Sequence, residues 1–379
     1  MKKILISAGE VSGDFHAAHL VKALKAFDPN LSFFGMGSER LKAEGVKIVF
    51  DITPRATIGF FEALPNVASL YFTFKNLVSL MRQERPDLVL LVDSQGINMP
   101  LATAAKKLGI KTAYYIPPQE WLWGKTRNLK KVASTLDLIV AIFEKEYLAY
   151  KQVGAKVVFF GHPLVDLVKP TLTKTDARQR FFGSAQETHP TIALCPGSRR
   201  HEIRTLLPRL LKAASLIRQK NPQARFLISA ASLGIIKNIF PYIDQFGPKA
   251  ILDQTYDILN ISDIALCSSG TINLEASLLG VPNLMLYWLS PLSFFIGKYF
   301  LRIDKKLPYF SMPNLLLNSP VIPELIMQEA NPERIAKEAL LILNNPQRRL
   351  EMQAAFLRLK DKLGQPGVIS RCAKEILML

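Results

Sequence analysis

The sequence predicts an α/β protein of two doubly wound, Rossmann-like domains facing a cleft. Three observations carry that expectation. Short, continuously apolar runs recur between segments of helical period. The series breaks once, at a polar stretch bearing prolines, and then restarts. The chain has 379 residues, enough for two full cores at about 150 residues per domain. Unbroken rather than alternating hydrophobicity means that helices cover both faces of a parallel sheet.

The elements follow in order. Lys3-Ile4-Leu5-Ile6-Ser7-Ala8 reads as the first strand, and a helix with Ala17, Leu20, Val21 and Leu24 on one face follows. Further strands are read at residues 31–36, 87–93, 111–116, 138–142 and 157–161. Residues 169–190 are polar and basic and contain Pro170 and Pro190, so they read as a linker. Strands resume at residues 191–196, 225–229, 263–267 and 281–287. This gives a first domain over residues 1–168, a second over 191–345, and terminal helices over 346–379 that are free to fold back across the first. In open parallel sheets ligands bind beyond the carboxyl ends of the strands, which places the chemistry in the loops there.

Composition excludes several classes. Apolar residues make up 49% and charged residues 21% of the chain, as in an ordinary globular protein. Three cysteines, Cys195, Cys267 and Cys372, are too few and too scattered for a disulfide scaffold or a Cys-rich zinc module, and fit a cytoplasmic setting. The apolar start is too short for a signal peptide, and Glu10 interrupts it. Residues 276–297 carry no charge, but Gly280, Pro282 and Pro291 argue against one spanning helix and for a buried strand followed by an apolar helix. The formal net charge of +17 calls for an anionic partner: nucleic acid, a membrane leaflet or a phosphorylated substrate. The cations are spread along the chain without a nucleic-acid module, so no nucleic-acid partner is expected.

Four loops at strand ends carry the chemistry. Gly9-Glu10-Val11-Ser12-Gly13-Asp14 is neither a dinucleotide fingerprint nor a P-loop, yet Glu10, Ser12 and Gly13 suit close approach to a sugar or phosphate. A plain capped turn is the equal alternative. Asp93, in Asp93-Ser94-Gln95-Gly96-Ile97-Asn98, is a carboxylate at a strand tip and a candidate general base; the alternative is a turn cap. In Pro196-Gly197-Ser198-Arg199, Ser198 is placed to cap the next helix and Arg199 to reach an anion at its start. In Ser268-Ser269-Gly270-Thr271-Ile272-Asn273-Leu274-Glu275, small residues Ser269, Gly270 and Thr271 open a helix as a nest of N–H groups. Glu275, one turn on, suits the two hydroxyls of a ribose; an ordinary cap with a surface acid is the alternative. His162 follows a strand and is placed to touch a substrate. His16 and His19 lie three apart on one helix face, but no third ligand lies at suitable spacing, so no metal site is expected.

These loops, with Gly161-His162-Pro163 and Met312-Pro313-Asn314-Leu315, resemble the lipid-A-disaccharide synthases, and the matches run in order along nearly the whole chain. The resemblance implies a GT-B type glycosyltransferase that needs no metal or other cofactor. Its donor would be UDP-2,3-diacylglucosamine and its acceptor 2,3-diacylglucosamine 1-phosphate, giving a β-1,6 disaccharide and UDP. It implies Asp93 as the catalytic carboxylate and Arg199 at the donor diphosphate. Glu275 and Asn314 would hold the ribose and uracil side, with Asn98 at the substrate. An enzyme of this kind would be cytoplasmic and peripheral on the anionic inner-membrane surface, and a homodimer is left open.

Two stretches depart from the family. The usual Asp-Ser-Pro-Asp-Phe-Asn reads Asp93-Ser94-Gln95-Gly96-Ile97-Asn98, without the second Asp. The usual Ser-Pro-x-x-Trp-Ala-Trp reads Pro117-Pro118-Gln119-Glu120-Trp121-Leu122-Trp123. Residues 58–64, 70–74 and 288–301 are apolar stretches suited to acyl chains or a membrane, or equally, for the first two, to core or subunit contacts. The alternative function is another UDP-sugar enzyme of this architecture, such as a UDP-N-acetylglucosamine 2-epimerase or a transferase to a soluble acceptor.

Overall fold

The structure is a computed structural model, and it describes residues 2–51, 67–123, 126–186, 188–198, 200–230, 249–252, 254–288 and 308–379. The chain divides into two compact units. Unit 1 comprises Met1–Asp166 and Leu363–Leu379, and unit 2 comprises Leu167–Lys362.

Unit 1 holds seven strands: β1 (Lys3–Ala8), β2 (Ser32–Gly37), β3 (Lys47–Asp51), β4 (Leu88–Val92), β5 (Lys111–Tyr115), β6 (Leu138–Ala141) and β7 (Val157–Phe159). Their order is β3-β2-β1-β4-β5-β6-β7, with every described pairing parallel. Strand order therefore reverses between β1 and β4. Ala8 lies beside Val92 in register there, which brings the loops after both strands to one point.

Unit 2 repeats the plan with β8 (Thr191–Cys195), β9 (Arg225–Ala230), β10 (Lys249–Leu252), β11 (Ile264–Ser268), β12 (Asn283–Tyr287) and β13 (Glu324–Ile326). The order β10-β9-β8-β11-β12-β13 is again parallel throughout and reverses between β8 and β11. Cys195 and Cys267 pair in register at that point.

The apolar runs of unit 2 serve two cores at once. Ile192 and Leu194 of β8 join Phe226, Ile264, Leu266 and the helix Arg200–Lys220 on one face. Ala193 and Cys195 join Leu227, Ala265, Cys267 and the helix Thr255–Ile261 on the other. Period-two side chains with both faces covered give the continuous pattern seen in the sequence. Each large aliphatic residue buried this way contributes about 1.5–3 kcal/mol.

Within the stretch read as a linker, Lys174–Phe182 forms a helix. Thr173 caps its start by accepting from the Asp176 N–H, and Gly183 ends it in the left-handed region at φ 78°. Asp257 fastens the preceding residues by accepting from Thr171 N, Thr171 Oγ1 and Leu172 N. The helix Pro346–Leu363 stays with unit 2 as far as Lys362. The last helix, Val368–Leu377, packs against Val11–Phe27 in unit 1. Asp166 anchors it by accepting the Gly367 and Ile369 N–H groups at 2.6 and 2.9 Å.

The uncharged run from residue 276 is helix to Leu278, a turn at Gly280, and then β12; residues 289–297 lie outside the described residues. Among the described residues no helix is long and apolar enough to cross a membrane.

Candidate active site

In unit 1 the reversal point is built around Asp93. β4 ends at Val92, and Asp93 and Ser94 then both adopt left-handed backbone, at φ 54° and φ 50°. For residues with a side chain this is unfavourable by roughly 1–2 kcal/mol each, so the surrounding structure must impose it. It does so through the Asp93 carbonyl, which accepts from the Tyr114 hydroxyl at 2.6 Å and from Asn98 Nδ2 at 2.7 Å. The Asp93 N–H donates to the Tyr115 carbonyl of β5. Burial pushes the Tyr114 hydroxyl well above its ordinary pKa, with the Asp93 charge adding to the effect. Tyr114 therefore remains a donor across the working pH range.

Asn98 is fully buried and its carboxamide is committed. Nδ2 also reaches the Ser7 and Val92 carbonyls, and Oδ1 accepts from Ser7 Oγ at 2.5 Å. Asn98 thus ties the tip of β1 to the tip of β4 and acts on Asp93 from behind.

The loop after β1 closes over the other side. Ser12 Oγ donates to Asp93 Oδ2 at 3.1 Å. Gly13 lies so close that a Cβ there would sit 3.5 Å from the Asp93 Cβ. Glu10 is the N-cap residue of the helix Val11–Phe27, and its carbonyl accepts the Asp14 N–H. The Asp14 carboxylate accepts the Ser38 and Arg40 N–H groups at the start of Glu39–Ala43.

His162 is buried at the end of unit 1's chain path. Its N–H donates to the Leu363 carbonyl at 2.7 Å, and its Nδ1 accepts the Leu164 N–H at 3.1 Å. A neutral ring accepting at Nδ1 carries its proton on Nε2. Burial holds its pKa well below the ordinary value, and neighbouring His16 lowers it further. His16 lies edge-on at 6.4 Å between ring centres and is held near pKa 3, chiefly by burial. His19 bonds its own helix, at the Phe15 carbonyl.

In unit 2, Gly197 follows β8 in left-handed backbone at φ 107°. The helix Arg200–Lys220 follows. Glu202 reaches back from its first turn and accepts the Ser198 N–H at 3.2 Å. Arg199 lies outside the described residues.

After β11, the Ser269 N–H is taken by the Leu286 carbonyl at 2.8 Å, so the predicted nest begins at Gly270. Gly270, at φ 138°, and Thr271 are exposed, and the helix Ile272–Leu278 follows. Glu275 is half-buried on that helix. Burial pushes the Cys267 thiol well up, and neighbouring Cys195 and the Glu275 carboxylate add to the shift. A buried polar network bolts this helix to β12: Asn273 donates to Asn283, Asn283 to Ser277, and Ser277 back to the Asn273 carbonyl.

Asn314 is buried in the helix Met312–Leu317, and its carboxamide bonds Ile322 N, Ile322 O and Glu324 Oε1. Sequence reading passed over Glu324, which gathers Phe310 N, Ser311 N and Ser311 Oγ as well. It also passed over Tyr114, since a Tyr within an apolar strand reads as core. The structure thus gathers Ser12, Gly13, Asp93 and Asn98 at the tip of unit 1, and Ser269, Gly270, Thr271 and Glu275 at the tip of unit 2.

The chain resembles known proteins over nearly its whole length. Residues 4–375 match the family model described as lipid-A-disaccharide synthetase. The chain is 39% identical over 381 residues to the lipid-A-disaccharide synthase of Syntrophus aciditrophicus, covering 100% of this chain and 98% of the relative. It is 36% identical over 378 residues to that of Geobacter metallireducens, covering 99% and 97%. Among solved structures it resembles the UDP-GlcNAc 2-epimerase of Neisseria meningitidis bound to UDP-GlcNAc, with a TM-score of 0.64, 15% identity and coverage of 100% and 99%. It also resembles spinosyn rhamnosyltransferase SpnG, with a TM-score of 0.61, 14% identity and coverage of 99% and 100%. The structural likenesses establish the GT-B type of fold, which hosts more than one chemistry. The sequence relationship decides among them: the chain belongs to the lipid-A-disaccharide synthase family of glycosyltransferases.

Proposed function

We propose that this chain transfers 2,3-diacylglucosamine from its UDP ester to 2,3-diacylglucosamine 1-phosphate, with inversion, to form the β-1,6 disaccharide and UDP. The observation that carries this reading is Asp93: a carboxylate at the strand-order reversal, held in unfavourable backbone and contacted by Ser12 Oγ. Such a group suits general-base work.

In this reading the Asp93 carboxylate takes the proton of the acceptor 6-hydroxyl. The hydroxyl oxygen bonds to the anomeric carbon of the donor as the bond from that carbon to the diphosphate oxygen breaks. UDP departs with the electron pair. Unit 2 holds the nucleotide: Glu275 at the ribose, with the N–H groups from Gly270 onward, Ser198 and Arg199 facing the diphosphate. Fixed donors of this kind offset developing charge without a metal. Asn98 and Asn314 act as positioning residues for Asp93 and for the Phe310–Asn314 turn. His162 offers its Nε2 proton to the substrate.

A diacylated sugar leaves a bilayer reluctantly, at about 0.8 kcal/mol for each buried CH₂. Tyr71 and Phe72 stand 53% and 64% exposed on the helix Val67–Glu84, with Lys75 over the Tyr71 ring. That face suits an anionic leaflet, where each cation adds about 1 kcal/mol. Of the other apolar stretches, 58–64 and all of 288–301 except Trp288 lie outside the described residues.

The test is mass-spectrometric detection of the tetra-acylated disaccharide phosphate from the two acylated substrates, with EDTA present. Epimerisation of non-acylated UDP-N-acetylglucosamine at comparable efficiency, without disaccharide, would support the 2-epimerase reading instead.

A further inference from the structure

The chain passes from Asp93 directly into the helix Gln95–Lys107, and the start of that helix is weakly capped. Ser94 occupies the N-cap position, but its side chain makes no capping hydrogen bond. Its Oγ is buried with no partner among the described residues. The first turn, Gln95-Gly96-Ile97-Asn98, contains no acid. A helix start carries partial positive charge and N–H groups that need acceptors, and an acid in the first turn is the usual complement.

A carboxylate does reach the Gln95 side chain, from the segment after the neighbouring strand. Glu120 lies in the segment after β5, at the start of the short helix Glu120–Trp123. It is only 8% exposed. Its Oε1 accepts from Gln95 Nε2 at 2.8 Å, and its Oε2 accepts from Asn128 Nδ2 at 3.2 Å. Two neutral amides satisfy its hydrogen bonds. Among the described residues no Lys or Arg pairs with it. Gln95, whose side chain it holds, is the first residue of the helix Gln95–Lys107.

We propose that Glu120 is a positioning residue for the transfer reaction. Its carboxylate, acting through the Gln95 side chain, supplies the acid that the first turn lacks, and so holds the left-handed Asp93–Ser94 pair in its reactive setting. This rests on the reading of Asp93 as the base.

Four variants test it. Glu120→Gln keeps an oxygen for Gln95 but removes the charge. Gln95→Ala removes the link. Gly96→Asp places an acid in the first turn, where a Cβ would meet no atom within 4 Å. Asp93→Asn serves as the control on the base. The expected result is a loss of kcat of about three- to tenfold in Glu120→Gln and in Gln95→Ala, the scale of a helix-terminus charge effect. The KM for both substrates should change by less than about twofold, since the ground-state contacts are untouched. The double variant Glu120→Gln, Gln95→Ala should be no slower than the slower single variant, because both act along one path. Gly96→Asp should restore most of the kcat lost in Glu120→Gln, a rescue that a merely structural role would not give.

Wild-type kcat in Gln95→Ala overturns the proposal even if Glu120→Gln folds poorly. So does failure of Gly96→Asp to rescue a folded Glu120→Gln. If Asp93→Asn is inactive while the Glu120 and Gln95 variants behave as wild type, the positioning role alone fails. If Asp93→Asn keeps its turnover, the reading of the base fails and this proposal with it.

Discussion

The Tyr114 hydroxyl donates a 2.6 Å hydrogen bond to the carbonyl oxygen of Asp93. Reaching across from the neighbouring strand β5, this bond fixes the backbone of the residue proposed as the base. Tyr114→Phe keeps the packing and removes only the donor. The expected outcome is a stability loss of about 1–2 kcal/mol, the range for a buried hydrogen bond whose acceptor is left short. Turnover should fall while UDP binding, measured by calorimetry, is unchanged.

Glu146 is a second buried carboxyl, on the helix Glu144–Gln152. Its Oε2 accepts the Ile142 N–H at 2.9 Å, and its Oε1 has no partner among the described residues. Burial pushes its pKa up to about 8. Between the ordinary carboxylate value and 8, the folded chain holds a proton that the unfolded chain has released, so this group's contribution to stability falls as pH rises through that window. Glu146→Gln keeps an acceptor for Ile142 and never ionises. It is expected to melt higher than wild type at pH 8, by an amount on the order of 2–3 kcal/mol in stability, with the advantage shrinking toward pH 5. Parallel melting curves across that range would contradict the assignment.

His16 has the opposite sign. Its folded pKa lies near 3, against an ordinary value of 6.5. Below pH 6.5 the unfolded chain takes up a proton that the folded chain refuses, so stability is lost as pH falls from 6.5 toward 3. His16→Leu removes one such group, and His162, also held low, remains. The variant's melting temperature should fall less steeply between pH 6.5 and 4 than that of wild type.

Gly161 precedes His162 in left-handed backbone, at φ 114°. A Cβ there would meet the Leu363 carbonyl oxygen at 2.5 Å and the Val368 side chain at 3.0 Å. Both obstacles belong to the returning C-terminal segment, and one is backbone. Gly161→Ala is expected to destabilise by about 1–3 kcal/mol through combined strain and overpacking. Thermal melting measures it.

The central strands were legible in the sequence because burial on both faces leaves one signature. Ile192 and Ala193 face different cores, yet both are apolar. β3, β10 and β13 escaped the same reading; all three lie at sheet edges, where only β7, with its run Val157–Phe159, was apolar enough to be read. β3 alternates exposed and half-buried residues, and β10 has none fully buried. The strand-end loops were legible too, since Asp93 and Ser269 stand directly after apolar runs. What supports them was not. Ser7 meets Asn98 across 91 positions, and Gln95 meets Glu120 across 25. Such partners depend on strand order, which no local pattern encodes. The family resemblance implied Asn98 at the substrate and Asn314 at the ribose and uracil side. In the structure their amides are bonded inward, to Asp93 and to Glu324.

The most direct measurement compares Asp93→Asn with wild type in two assays on the same preparation, disaccharide formation and UDP affinity. A missing general base should slow transfer by about 10²–10⁴-fold, while the UDP dissociation constant stays within about twofold because no nucleotide contact is lost. Transfer at a rate close to wild type, or loss of UDP binding together with activity, would contradict the role assigned to Asp93.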